Sequence, residues 1–352
     1  MRERFLNQNA TQRQTMEAYS QIILTSRPKG PPTLSDFRLE TGPIPAPAEG
    51  QILLKTTYLS LDPYMRGRMN DAESYAPPVE VGGVMEGEVI AEVVQSQHPA
   101  YRGGELVQAK IGWRTHAAVA PERVKQIETG NNPPSTALGV LGMPGFTAYS
   151  GMKVIGQPKP GETVVVAAAS GPVGSLVGQL AKLAGARAVG IAGGSAKCAY
   201  VRDQLGFDAV IDHRAPGLAR ALAAACPDGI DVYFENVGGP IWEAVLPLLN
   251  RYARVPVCGL IAYYNGEIPQ DETRISRTMI TVLRRSLLIR GFINTEFVPD
   301  HYESFLKELN SLVASGKIRY RQDITEGLAS APEAFIRMLC GRNFGKTLVH
   351  VS

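Results

Sequence analysis

One stretch constrains this chain more than any other: Thr163 to Ala181, TVVVAAASGPVGSLVGQLA. Its first third, Thr163 to Ala169, is an unbroken run of β-branched and small apolar residues. Such a run, with no polar alternation, fits a strand buried on both faces of a parallel sheet. Gly171, Gly174 and Gly178 follow, with Val173, Leu176, Val177 and Leu180 at helical spacing. Strand, glycine turn and helix in that order are the setting of a dinucleotide-binding fingerprint. The first two glycines permit a tight turn and close approach to a pyrophosphate, and the third lets the helix lie against the sheet. The pyrophosphate then meets N–H groups at the helix start. Gly171, Pro172, Val173 and Gly174 are therefore candidate cofactor contacts. Ala169 stands where the usual first glycine would be, so the motif reads A-x-G-x-x-G.

A chain of 352 residues has room for two ordinary domains. At 44% hydrophobic and 20% charged residues it has globular composition. The net charge of +3 is small and dispersed, which argues against nucleic acid as a partner. No apolar run reaches the roughly 18 residues of a membrane span, so a soluble chain is expected. Residues 1–15, MRERFLNQNATQRQT, carry charge but no apolar stretch and do not read as a secretory signal. They read as a flexible N-terminal tail, or as an upstream start before Met16. Cys198, Cys226, Cys258 and Cys340 show neither metal nor disulfide spacing, which suits a reducing, cytoplasmic setting.

Residues 16–140 read as β-rich, with short strands such as Gln51–Tyr58 and Gly87–Val94 between Pro- and Gly-rich punctuation. A small barrel or sandwich is expected there. Within it Leu59–Met69, LSLDPYMRGRM, contains an Asp-Pro turn followed by Tyr64, Arg66 and Arg68. Taken by itself, that segment reads as a surface turn with solvated arginines. From residue 141 strands and helices alternate: strands at Ala188–Ala192, Ala209–Asp212, Asp231–Asn236, Arg254–Cys258 and Leu287–Ile293 follow the fingerprint strand. Helices are expected near Ala196–Leu205, Gly217–Ala225, Pro240–Leu249 and Glu272–Arg284. This rhythm predicts an α/β, doubly wound parallel sheet over 141–308. Residues 309–352 hold the end of an amphipathic helix, a second helix near Pro332–Leu339 and a strand at Lys346–Val351. They are too few for a core of their own and are assigned to the same domain as 16–140.

An NAD site normally carries Asp or Glu at the end of the second strand, about 20 residues past the glycines, to hold the ribose 2′-hydroxyl. Here that place reads Gly193-Gly194-Ser195-Ala196-Lys197. Gly194, Ser195 and Lys197 offer a turn, a hydroxyl and a cation, which suit a 2′-phosphate. The cofactor expected is therefore NADPH/NADP+. Zinc dehydrogenases take Cys and His ligands from their N-terminal domain. No cysteine precedes Cys198, and the loop Val81–Glu88 has no histidine, so no metal site is expected.

With these features in hand, residues 17–352 resemble the zinc-free medium-chain dehydrogenase/reductases, in the leukotriene dehydrogenase/prostaglandin reductase and curcumin reductase branch. The resemblance is carried by YLSLDPYMRGRM at 58–69, GMPGFTAYSGM at 142–152, AAASGPVGSLVGQLAK at 167–182, FENVGG at 234–239 and GRNFGKTLV at 341–349. It implies a GroES-like β-rich barrel domain beside the Rossmann domain, with the cofactor in the cleft between them and a homodimeric assembly. It also implies NADPH-dependent reduction of the C=C bond of α,β-unsaturated ketones and aldehydes. Lys197 resembles the family lysine on the 2′-phosphate, and Asn236 the asparagine near the nicotinamide ribose. Cys258 and Gly259 match the pair closing the fifth strand. Phe292 and Ile293 resemble the segment facing the carboxamide, and Asn343 an asparagine at the diphosphate. Tyr264 matches the tyrosine proposed to bind or protonate substrate, and Tyr64 one lining the other cleft wall. His213 departs from the pattern, because relatives usually place a tyrosine against the adenosine phosphate there. A quinone reductase, and a non-catalytic NADPH-binding protein, are the alternative readings.

Overall fold

The structure is a computed structural model and describes residues 18–266 and 271–351. The expected N-terminal tail lies outside the described residues, as does part of the loop that follows Tyr264. Six strands form one sheet: Thr163–Val166, Arg187–Ala192, Ala209–Asp212, Ile230–Phe234, Leu249–Val257 and Leu288–Gly291. Every neighbouring pair is parallel, in the order third, second, first, fourth, fifth, sixth. The order reverses between the first and fourth strands. A doubly wound sheet opens its ligand crevice there, beyond the strands' carboxyl ends.

The fingerprint explains itself in contacts. All four residues of Thr163–Val166 are buried, and the helix Pro172–Leu183 starts directly after the glycine turn. A side chain on Gly174 would place its Cβ 2.5 Å from the Ala168 carbonyl oxygen. One on Gly178 would fall 1.9 Å from the Phe207 ring, so only glycine lets the helix pack this close. Ala168 holds a left-handed φ of 46°, a conformation that costs an alanine energy. Ala169 is fully buried and its N–H donates to Ile191 O at 3.0 Å. Its methyl group is accommodated by Gly190 on the neighbouring strand, where a Cβ would sit 2.9 Å from the Ala169 Cβ. Gly190 thus leaves the space that the Ala169 methyl group fills.

The second sheet has seven strands. Ile52–Ser60 is its centre, pairing antiparallel with Val89–Ser96, His116–Val119 and Lys346–His350. Leu106–Ala109 and Val124–Gln126 extend one side, and Gln322–Glu326 pairs parallel with Lys346–His350 on the other. The chain end therefore returns to the N-terminal sheet, and on the way Gly341 and Phe344 meet Lys197 and Tyr200 beside the six-stranded sheet. Gln322–Glu326 carries no apolar alternation, and its half-exposed residues gave no strand signal. The core beneath is centred on Trp113, stacked on Phe37 at 5.7 Å and edge-on to Phe335 at 5.6 Å.

The segment at 59–69 corrects its sequence reading. Tyr64–Arg68 is a short helix, and Arg66 and Arg68 are only 1% and 4% exposed. Arg66 donates to Gly30 O at 2.7 Å and Asn70 Oδ1 at 2.6 Å. Arg68 donates to Glu86 Oε1 at 3.0 Å and Ala76 O at 2.7 Å. The arginines are buried because loops both near in sequence (Asn70, Ala76) and farther off (Gly30, Glu86) supply their acceptors, and no periodic pattern shows such acceptors.

Candidate active site

The crevice has two chemically distinct ends. At the turn after the second strand, Asp212 accepts from the backbone N–H groups of Gly194 and Arg214, both at 2.9 Å. Those hydrogen bonds hold its carboxyl below the usual range, so it stays charged and fixes the turn. Gly193 lets the His213 and Arg214 side chains close onto the turn, since a Cβ there would fall 2.7 Å from His213 Nε2 and 2.9 Å from Arg214 Nε. Lys197 Nζ donates to Gly341 O at 2.8 Å, and Arg214 donates to the same oxygen at 3.3 Å. Two cations thus share one neutral carbonyl, and no carboxylate lies within ion-pair distance of either among the described residues. Partial burial, then the Arg214 charge, depresses the Lys197 pKa. Ser195 is exposed beside them. This arrangement fits an added anion such as a 2′-phosphate. The sequence reading missed Arg214, although its place directly after His213 at the third strand's end was a usable signal.

The middle of the crevice lies at the ends of the first, fourth and fifth strands. Gly171, Pro172 and Val173 are half-buried at the helix start, with Gly174 buried beneath them. Glu235 is buried and accepts from the backbone N–H groups of Val237 and Gly238, each at 2.8 Å, and from the Tyr233 hydroxyl at 3.1 Å. It shapes the turn that presents Asn236. Asn236 Nδ2 donates to Ala167 O at 2.9 Å, while its Oδ1 is buried without a partner. A buried acceptor with no donor is costly, and a ribose hydroxyl would satisfy it. The Cys258 thiol is pushed up to about 12 by burial, then by the Glu235 carboxylate, so it is not a nucleophile at neutral pH. On the loop 341–345, Asn343 Nδ2 donates to Gly345 O at 3.0 Å.

At the other end the groups are aromatic. Tyr264 is half-buried, with its hydroxyl against Gly259, where a Cβ would come within 2.8 Å of that oxygen. Burial pushes its phenol up to about 12, and that of Tyr64 is raised further by burial and the charges of Asp62, Glu86 and Glu88. Both are hydrogen-bond donors throughout the neutral range. Tyr75, which sequence reading did not single out, lies over the Arg68 guanidinium at 4.2 Å, with Tyr64 at 5.9 Å. Its electrostatic influence reaches both other phenols. Beneath Tyr64, Lys346 forms a buried ion pair with Asp62 and donates to Leu61 O at 2.9 Å. Phe292 is core, edge-on to Phe234, and its N–H donates to Val257 O at 3.1 Å. Ile293 N–H is taken by Glu296 Oε1 at 2.8 Å. Among the described residues no group of three or more His, Cys, Asp or Glu side chains is arranged to hold a metal ion, and no helix is long and apolar enough to cross a membrane.

A doubly wound sheet whose crevice joins paired cations and an unsatisfied amide acceptor to protonated phenols defines a dinucleotide-dependent oxidoreductase. Comparison with known proteins narrows this. Residues 20–127 match a family described as the N-terminal domain of oxidoreductase, and residues 172–311 one described as zinc-binding dehydrogenase. The chain is 50% identical to the NADPH-dependent curcumin reductase of Escherichia coli over 94% of its length and 96% of that protein. It is 38% identical to the tobacco NADP(+)-dependent 2-alkenal reductase over 94% of this chain and 97% of that one. The crystal structure of CurA from Vibrio vulnificus in complex with NADPH superposes with a TM-score of 0.91 at 50% identity, covering 95% of this chain and 99% of that one. The chain belongs to the medium-chain dehydrogenase/reductase family and is an NADPH-dependent oxidoreductase.

Proposed function

We propose that this protein reduces the C=C bond of α,β-unsaturated ketones and aldehydes, without a metal ion. The observation that carries the proposal is the family placement: two relatives that match over nine-tenths of the chain are named curcumin reductase and 2-alkenal reductase. Bound NADPH supplies a hydride to the substrate's β-carbon. Residues 141–308 bind the cofactor, while 16–140 and 309–352 provide the facing substrate wall.

Lys197, Arg214, Ser195, Gly194 and His213 hold the 2′-phosphate. Gly171, Pro172, Val173 and Gly174 would receive the pyrophosphate, and Asn343 on the loop 341–345 would contact it. Asn236 Oδ1 would accept from the nicotinamide ribose, and Cys258 and Gly259 would offer the ring uncharged surroundings. The N–H groups of Phe292 and Ile293 are already engaged, so this segment meets a carboxamide through its carbonyls. As hydride arrives, negative charge develops on the substrate's carbonyl oxygen. Tyr264 donates a hydrogen bond to that oxygen, and its hydroxyl or a water protonates the α-carbon. Tyr64 lines the opposite wall.

The assembly we propose is a homodimer in the cytoplasm. The edge strand Leu288–Gly291 is exposed, and the helix Glu272–Arg285 beside it leaves Ile275, Met279 and Leu283 exposed. Sedimentation giving a monomer at micromolar concentration would remove the dimer. The activity is tested with a panel of enones, enals and quinones, following NADPH oxidation and product mass. Saturated ketones and aldehydes two hydrogens heavier support it. Turnover confined to quinones contradicts it.

A further inference from the structure

We propose that His213 reads the 2′-phosphate as a proton-accepting group, so that NADPH binding takes up a proton and preference for NADPH over NADH grows as pH falls. The inference rests on the cofactor reading above and adds a linkage to it. His213 Nε2 lies against the Gly193 turn, at the point where Arg214 Nε also meets it. Lys197 and Arg214 converge on the Gly341 carbonyl a few residues away in the same pocket.

The charged groups acting on the ring are few. Arg214 and Lys197 oppose its protonation, and Asp212 favours it. Asp212 is committed to the Gly194 and Arg214 N–H groups, and Asp323 acts on Lys197 from the strand Gln322–Glu326. Packing against the turn, then Arg214, holds the free imidazole below its ordinary pKa, so it is largely neutral at pH 7. A dianionic phosphate reverses the field and raises that pKa. A group whose pKa rises on binding takes up protons between its free and bound values. Affinity is therefore highest below the free pKa and is lost as pH climbs through the bound one. The 2′-phosphate's own proton works the other way, but its pKa near 6 confines that effect to lower pH.

The test is titration calorimetry of the whole protein at pH 7 in buffers of different ionisation enthalpy, with NADPH, NADH and adenosine 2′,5′-bisphosphate as probes. We expect uptake of about half a proton per NADPH or bisphosphate, none for NADH, and an NADPH affinity that drops roughly five- to ten-fold from pH 6.5 to 8.5. His213→Gln and His213→Tyr should abolish both the uptake and the pH slope while still binding NADPH. Equal uptake in both variants would assign the proton to Lys197 and overturn the proposal, as would uptake with NADH equal to that with NADPH. If neither NADPH nor the bisphosphate binds more tightly than its counterpart lacking the 2′-phosphate, the cofactor reading itself fails, a result distinct from binding without uptake.

Discussion

At one end of the crevice Lys197 and Arg214 converge on a single neutral carbonyl; at the other, Arg68 is buried with its charge spent on Glu86 and a tyrosine stacked over it. The first pair are cations that lack an anion, and they mark a place for one. The second is a cation already neutralised, and it marks a framework that holds rings in place. The same residue chemistry thus reports binding in one region and construction in the other. What separates the two is whether the charge has a partner, not its burial.

That contrast is most sharply broken at the buried pair behind the aromatic end. Lys346→Met leaves Asp62 enclosed without its cation, and removing one member of such a pair costs about 3–5 kcal/mol. Denaturant unfolding at neutral pH should show a loss of this size, and a loss below about 1 kcal/mol would mean the pair is dispensable. Next in size is Lys197→Ala. A charge-assisted hydrogen bond contributes about 1.5–3 kcal/mol, so NADPH affinity should fall roughly ten- to a hundred-fold with NADH unchanged. Equal losses for both cofactors in fluorescence titrations would show that the cation does not read the phosphate.

Tyr264→Phe keeps the ring and removes one donor. Oxyanion donors are commonly worth about a hundred- to a thousand-fold in turnover. Water can partly replace this one donor, so a drop of about tenfold in single-turnover rate is expected, with NADPH affinity unchanged. A rate equal to that of the parent protein would reduce Tyr264 to packing. The smallest effect belongs to Tyr75→Ala, where loss of an exposed aromatic face should raise KM for an aryl enone about three- to ten-fold. An unchanged KM would exclude it from the substrate wall.

The end built on charge was the more legible in sequence, for a physical reason. Strand, glycine turn and helix are local patterns, and Lys197 follows the second strand within five residues. Gly174 could be read because the contact that forbids a side chain, the Ala168 carbonyl, belongs to the motif itself, and Gly178 because its place on the sheet-facing side of the helix is part of the same pattern, although the ring it meets is that of Phe207. The aromatic end is assembled from irregular loops. Arg68 depends on Glu86, Ser74 and Ala76, which follow it with no repeating spacing, and Lys346 reaches back from the last strand to Asp62. No periodicity announces such partners, and so LSLDPYMRGRM read as a solvated turn. Arg214 is less legible because it stands at the end of the third strand, while the position that selects between the two cofactors in the usual pattern is at the end of the second.

The central claim is that hydride reaches the β-carbon of a conjugated double bond. It is tested most directly with NADPH carrying deuterium at the transferable position and an unsaturated ketone as acceptor, the product being analysed by NMR and mass. The account predicts a saturated ketone with a single deuterium on the β-carbon. Deuterium on the carbinol carbon of an allylic alcohol would contradict it and make the enzyme a carbonyl reductase.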